Sequence, residues 1–391
     1  MKILLKIDKI RTLFRNNGFL GSIKKLASYF INFLNLFIVP AGDILFVASG
    51  VGDSAHYRTK SVAEELRLHN FRASVTVVDN PKLLKLVDQF KVFIFHKTVY
   101  TEKIAKVIEK IKTQKKTIIF DTDDLNFDPA YSSQIDYLEK AGQREKMQYA
   151  KGLGREILED TYVKVATTTT TYLAKILEQK GKKVFVVKNK ICNLELTLAN
   201  KLWEGKKKSK DNFIYLGYFS GTSSHTKDFA MIIEALITVL QKYKNTKLIL
   251  AGPLEQENKL NEFKQRIIYL DLAPRGEHYK NIQKVNINLV PLEYNPFCES
   301  KSELKFFEAG ILGIPTIAIR NTTFSSAIKD GDNGFLASTA VEWTEKLGRL
   351  IEDENLRKTM GEQAREKTLK DYTNKNSHSE EYYEYLKSKL V

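Results

Sequence analysis

Short apolar runs alternating with amphipathic stretches, twice over, constrain this chain more than any other feature. From Asp43 the order is DILFVAS, a helical SVAEELRLHN, ASVTVV, a helical stretch near 82–89, VFIFH, a helix over 101–112 and TIIFDTDD. Apolar runs this short, separated by helices, imply strands buried on both faces of a mostly parallel sheet. The alternation restarts with FIYLGYFSG, a helix over 228–243, KLILAGP, VNINLVPL and TIAI. The expected fold is therefore α/β, with two Rossmann-like domains over 41–190 and 213–370 joined by a lysine-rich linker over 191–212. At 391 residues there is chain enough for two cores. Ligands of open α/β sheets bind beyond the carboxyl ends of the strands, which makes the cleft between the domains the expected site.

The formal charge is +15, so anionic partners are favoured: nucleic acid, anionic lipid or phosphorylated substrates. Residues 1–40 hold seven Lys or Arg against one acid, Asp8, and KLWEGKKKSK at 201–210 forms a second cluster. The apolar run YFINFLNLFIV at 29–39 rises about 16 Å as a helix, short of the roughly 30 Å hydrocarbon core. A membrane span is not expected, and the run leads into the first strand without a small-residue cleavage site. Residues 1–40 read as a basic amphipathic helical extension suited to an anionic membrane interface, with a cap over the first domain as the competing reading. Two cysteines, Cys192 and Cys298, are too few for a disulfide framework or a cysteine-rich metal site and fit a reducing cytoplasm.

The stretch CESKSELKFFEAGILGIPTIA at 298–318 carries the densest polar spacing. On a helical wheel Ser302, Lys305 and Glu308 fall within about 120°, opposite Leu304, Phe307 and Ile311. Ser300 followed by Glu303 reads as a capping box, which starts the helix at Ser300 with its amides free. A lysine one turn into such a helix suits phosphate, and a glutamate a turn further suits hydroxyl groups. A solvated surface stripe has the same spacing, so the flanking sequence must separate the two readings.

SKSELKFFEAGILGIPTIAI followed by IKDGDNGFL resembles the donor-binding block of GT-B glycosyltransferases, in particular glycosyltransferase family 4 and related bacterial surface-polysaccharide enzymes. Glu308, Gly313-Ile314-Pro315 and Asp332-Asn333-Gly334 match that block. The family's paired glutamates enclose seven residues, a spacing that places Ser300 opposite Glu308, with Glu299 one residue off and Glu303 inside. The order S-x-x-K-x-x-E resembles a subgroup in which Ser and Lys, here Ser302 and Lys305, approach the diphosphate. LGYFSGTSSHTKDF resembles the first strand and glycine loop of the second domain, offering Ser220, Gly221 and Thr222 to a phosphate and His225 and Lys227 as added charge. VFVVKN, ending at Asn189, GDSAHYR at 52–58 and FDTDDL at 120–125 resemble first-domain segments.

The resemblance implies a hexosyltransferase-type enzyme of GT-B fold. It would move a sugar from a nucleotide-sugar donor to a glycan acceptor, expected to be lipid-linked, at the inner face of the plasma membrane. It implies that no metal cofactor is needed, because a helix dipole and basic side chains neutralise the leaving diphosphate. It also implies that the closing segment 371–391 returns as a helix to the first domain. His56 and His96, at strand ends facing the cleft, are candidates to orient or deprotonate an acceptor hydroxyl, with Tyr57 and Arg58 on the acceptor side. Asp121, Asp123 and Asp124 follow a strand; cleft hydrogen bonding or acceptor contact by Asp121 and Asp124 is the preferred reading, a divalent-ion site the alternative. No RNA-binding, zinc-finger or helix-turn-helix signature supports nucleic acid. A GT-B nucleotide-sugar 2-epimerase and a non-catalytic nucleotide-sugar-binding protein are the other readings.

Overall fold

The computed structural model describes residues 33–391 except 136–137, 139–140, 206–210, 222–225 and 255–257. Most of the basic extension, most of the lysine run, and the candidates Thr222 and His225 therefore lie outside the described residues. Among those described, no helix is long and apolar enough to cross a membrane.

Two parallel six-stranded sheets form the frame. The first runs β2-β1-β3-β4-β5-β6, built from β1 (Ile44–Ala48), β2 (Ala73–Val77), β3 (Val92–His96), β4 (Thr117–Asp121), β5 (Val165–Thr168) and β6 (Lys183–Val186). The second runs β12-β11-β10-β7-β8-β9, from β7 (Ile214–Phe219), β8 (Thr246–Ala251), β9 (Ile267–Leu270), β10 (Ile287–Val290), β11 (Thr316–Ile319) and β12 (Phe335–Ala337). Every residue of β1, ILFVA, is buried, as a strand covered by helices on both faces requires. Strand order reverses between β1 and β3 and between β7 and β10, so each sheet opens a crevice at its carboxyl edge.

The chain crosses between the sheets twice, side by side. Ile191 donates its amide to the Tyr372 carbonyl at 2.8 Å, and Asn374 returns an amide to Ile191 at 3.1 Å. Ser61 donates its hydroxyl to the Lys190 carbonyl at 3.0 Å, which ties both crossings to the first domain. Beyond them the helix Glu380–Leu390 buries Tyr382, Tyr383 and Leu386 in a cluster with Ile44, Phe46 and Val62, on the first sheet.

At the amino-terminal side of the described chain, Leu36 is buried with Ala48, Ala55 and Val77, and Phe33 and Phe37 pack against that cluster. Leu34 and Ile38 remain exposed, Ile38 at 77%. The aromatic run is thus divided: one edge covers the first domain and the other faces outward.

Gly313 shows how closely the second domain is packed. Its φ is +64°, and a Cβ there would lie 1.9 Å from the Trp203 ring. The left-handed backbone costs a side chain roughly 1–2 kcal/mol, and overpacking adds roughly 1–3 kcal/mol. Gly313→Ala is therefore expected to destabilise the second domain by about 2–5 kcal/mol, read as a lowered denaturation midpoint.

Candidate functional site

A cleft open to solvent lies where the two carboxyl edges face each other. Ser220 and Gly221 after β7, Gly252 after β8, and Lys305 and Glu308 line one side; Asp53 and Tyr57 line the other. Gly252 adopts φ +94°, and a Cβ there would sit 1.9 Å from the Ser220 carbonyl, so the two loops meet only because this residue is glycine.

The polar stretch before β11 is not one helix starting at Ser300. Asn295 caps the short helix Pro296–Glu299 by accepting the Cys298 amide at 2.8 Å. The chain then passes through 300–303 and re-enters a helix at Leu304–Gly310, whose N-cap Glu303 makes no side-chain capping bond. The Ser300 hydroxyl instead donates to the Phe297 carbonyl at 2.6 Å and is fully buried. Glu299 turns away and accepts the Thr322 amide at 2.8 Å. Neither Glu299 nor Ser300, both expected at the donor, is among the residues lining the cleft. Ser302 faces the first domain, accepting a hydrogen bond from Asn189 at 3.0 Å.

Lys305 and Glu308 do project into the cleft. The Lys305 ammonium lies 4.8 Å from the Tyr218 ring centre and has no hydrogen-bond partner, although the atom is buried. Burial pulls its pKa down, opposed by the Asp228 and Glu308 carboxylates. A buried ammonium without a partner is costly, and an anion placed beside it would recover that energy.

Glu308 is held from three directions. The Tyr57 hydroxyl donates at 2.7 Å, His278 lies at 3.2 Å and Arg275 at 3.6 Å. Burial alone would raise its pKa, but His278, Arg275 and Tyr57 outweigh it and hold the carboxyl below its usual range. Arg275 also donates to the Tyr57 hydroxyl at 2.6 Å and to Asp53 at 2.8 Å, and it pairs with Glu195 at 3.0 Å. One guanidinium therefore joins the first domain, the linker helix Asn193–Glu204 and Glu308.

On the first-domain side the backbone over 53–68 contains a π-helical turn, His56–Ser61, a widened turn often found at functional sites. It sends Tyr57 across the cleft and Arg58 inward. Arg58 is 1% exposed and grips Asp121 with two nitrogens, at 2.6 and 3.3 Å, while also donating to Asn189 and the Val187 carbonyl. Expected on the acceptor side, Arg58 is instead found buried with all of these partners inside the protein. His96 is equally buried, with Nδ1 2.7 Å from Asp121 and Nε2 2.8 Å from the Ser54 hydroxyl. Asp121 and His96 thus form an internal network that includes the Ser54 hydroxyl.

Lys97 pairs with both Asp123 and Asp124, the latter at 2.6 Å. Asp124 also caps the turn Leu125–Phe127 through the Asn126 amide and lies 3.7 Å from Lys301 of the second domain. Its charge holds the loop and the interface. His56 pairs with Glu195 at 3.2 Å, and Lys227 is exposed on the helix Thr226–Ala230 outside the cleft lining. Arg275 and His278 are the functional candidates that sequence reasoning missed; PRGEHYK at 274–280 offers a pair three residues apart on one helical face, but surface helices offer the same.

Residues 200–367 match the family model described as glycosyl transferases group 1. The capsular polysaccharide biosynthesis glycosyltransferase CapM of Staphylococcus aureus is 26% identical over 166 residues, which are 40% of this chain and 41% of that protein. The chain thus aligns with less than half the length of this curated relative. Among solved structures, Anabaena Alr3699/HepE in complex with UDP superposes with a TM-score of 0.59 at 14% identity, covering 88% of this chain and all of that one. The catalytic domain of Arabidopsis thaliana starch synthase IV, bound to ADP and acarbose, gives a TM-score of 0.57 at 11% identity, with 90% and 100% covered. The chain has the GT-B fold, and the match to the group 1 glycosyl transferase model falls within its second half.

Proposed function

We propose, from the match of residues 200–367 to the group 1 glycosyl transferase model, that the chain transfers a sugar from a nucleoside diphosphate sugar to a lipid-linked acceptor in surface-polysaccharide synthesis. The observation that carries this reading is the unpartnered Lys305 ammonium, buried at the cleft beside the ionised Glu308. Lys305 would hold the diphosphate and disperse the charge of the leaving group. Glu308 would accept the ribose hydroxyls in place of the Tyr57 hydroxyl. Arg275, released from Glu308, keeps Asp53 and Glu195 as partners, so nucleotide entry need not leave it buried and unpaired.

A donor screen tests the reading: nucleotide release is measured from several nucleotide sugars with and without lipid-linked oligosaccharide. Release coupled to acceptor glycosylation supports transfer. Free modified sugar formed without acceptor would indicate the epimerase reading, and nucleotide binding without turnover the non-catalytic one.

Because Lys305 and the loop amides supply the positive charge, turnover should persist in excess chelator. Complete loss, restored by magnesium or manganese, would move Asp123 and Asp124 to the centre of the chemistry. Attachment to the inner membrane face rests on the seven basic residues of 1–40 and on the outward-facing Leu34 and Ile38. Each basic residue near an anionic leaflet contributes roughly 1 kcal/mol. Full-length protein should therefore sediment with anionic vesicles at low salt and release at high salt; no sedimentation at low salt would end that part of the proposal.

A further inference from the structure

Away from Lys305, the hinge side of the cleft gathers three metal-ligating side chains of different chemistry. His56 comes from the π-helical turn of the first domain, and Cys192 and Glu195 from the start of the linker helix, whose Leu196, Leu198 and Leu202 pack on the second-domain core. One ligand atom from each lies within 4.8 Å of the other two. A tetrahedral zinc ion bound by one sulfur, one nitrogen and one oxygen sets ligand separations of about 3.3–3.7 Å. His56 Nε2 and Glu195 Oε1 already stand at 3.2 Å, so the remaining closure is small.

We infer that His56, Cys192 and Glu195 form a binding site for a zinc-class divalent cation that pins the first domain to the linker helix. A thiolate, an imidazole and a carboxylate make a mixed donor set that suits zinc, which has no geometric preference from its d electrons. The Glu195 carboxylate is already aimed, because its second oxygen accepts the Cys192 amide at 3.1 Å. Arg275 competes for the first oxygen, at 3.0 Å. It need not be orphaned by an ion, since Asp53 and the Tyr57 hydroxyl hold it at 2.8 and 2.6 Å. Binding converts the Cys192 thiol to a thiolate and releases its proton to solvent. The His56 side chain is 23% exposed, while its Nε2 and the Glu195 Oε1 that would face the ion are buried.

A second group, Asp228, Glu293 and Cys298, has comparable spacing but lacks an imidazole, and its Asp228 already accepts the Glu293 amide. The test separates the two. Cobalt(II) is titrated into the full-length protein and into Cys192→Ser and Cys298→Ser, reading the near-ultraviolet thiolate-to-cobalt absorption. The wild type and Cys298→Ser should show the band at one ion per chain, Cys192→Ser should lose it, and zinc should displace it. Arg275→Ala removes the competitor and should tighten cobalt binding by about tenfold, the change that one charge-assisted hydrogen bond corresponds to. Zinc should raise the thermal midpoint of the wild type and not of Cys192→Ser, a comparison made against each protein's own metal-free midpoint. No band in the wild type, or a band that survives in Cys192→Ser, would overturn the inference.

Discussion

Replacing Arg58 by alanine is expected to destabilise the protein by about 3–5 kcal/mol, the cost of leaving a buried charge without its partner. Asp121 is 1% exposed, and the guanidinium is the strongest of its three partners, ahead of His96 at 2.7 Å and the Thr167 hydroxyl at 2.6 Å. Arg58→Lys should recover little, because an ammonium cannot span both carboxylate oxygens, Asn189 and the Val187 carbonyl. The effect has a pH signature. Burial would raise the Asp121 carboxyl, but Arg58 and His96 hold it below its usual value. A depressed carboxyl contributes stability above its unfolded pKa and loses it as pH falls through the folded one. The wild type should therefore lose this contribution only below about pH 4. Without Arg58, burial pushes the folded carboxyl up, so its ionisation costs stability above the unfolded pKa and the deficit of the variant against the wild type should narrow as pH falls. Urea denaturation of both proteins across acid pH checks this; a change in stability under about 1 kcal/mol would mean the pair is solvated.

The second large effect concerns ligand. Glu308→Ala should weaken nucleoside diphosphate binding by about 1.5–3 kcal/mol, the worth of hydrogen bonds to a charged group. That corresponds to roughly ten- to a hundredfold in dissociation constant. Lys305→Ala should weaken it comparably through the diphosphate. The two side chains lie one turn apart and serve one ligand, so their effects need not add. Calorimetric titration reads both, and affinity unchanged in both variants would remove this pair from the donor site.

The parts of the fold legible in the sequence were those where burial on both faces forces a continuous apolar run. β1, β3, β8 and β11 are such strands, and each is visible as written. β5 hides in a threonine run because Thr167 and Thr168 turn inward, Thr167 to bond Asp121. β9 is an edge strand with Ile268 and Tyr269 exposed, and β12 is a three-residue edge strand, too short for an apolar period. The helix carrying Lys305 was legible by its polar edge, whereas its start was not. Ser300 and Glu303 have capping-box spacing, but Asn295 caps an earlier turn and the Ser300 hydroxyl bonds within it, so tertiary packing overrides the local signal.

The candidate site divided along the same line. Residues carried by a strand end or by the Lys305 helix were legible by position. What each touches was not, since Arg58 and Tyr57 are adjacent in sequence yet point into different domains. Arg275 and His278 gain meaning only when Glu308, thirty or so residues later, is brought against them. A single sequence carries no trace of that pairing.

The most direct test of the central claim is a crystal structure of the full chain with a nucleoside diphosphate bound, UDP being the first to use. The account predicts diphosphate oxygens within hydrogen-bonding distance of the Lys305 ammonium and ribose hydroxyls on Glu308, with the Tyr57 hydroxyl displaced. Nucleotide bound elsewhere, with Lys305 still unpartnered and Tyr57 still on Glu308, would contradict it.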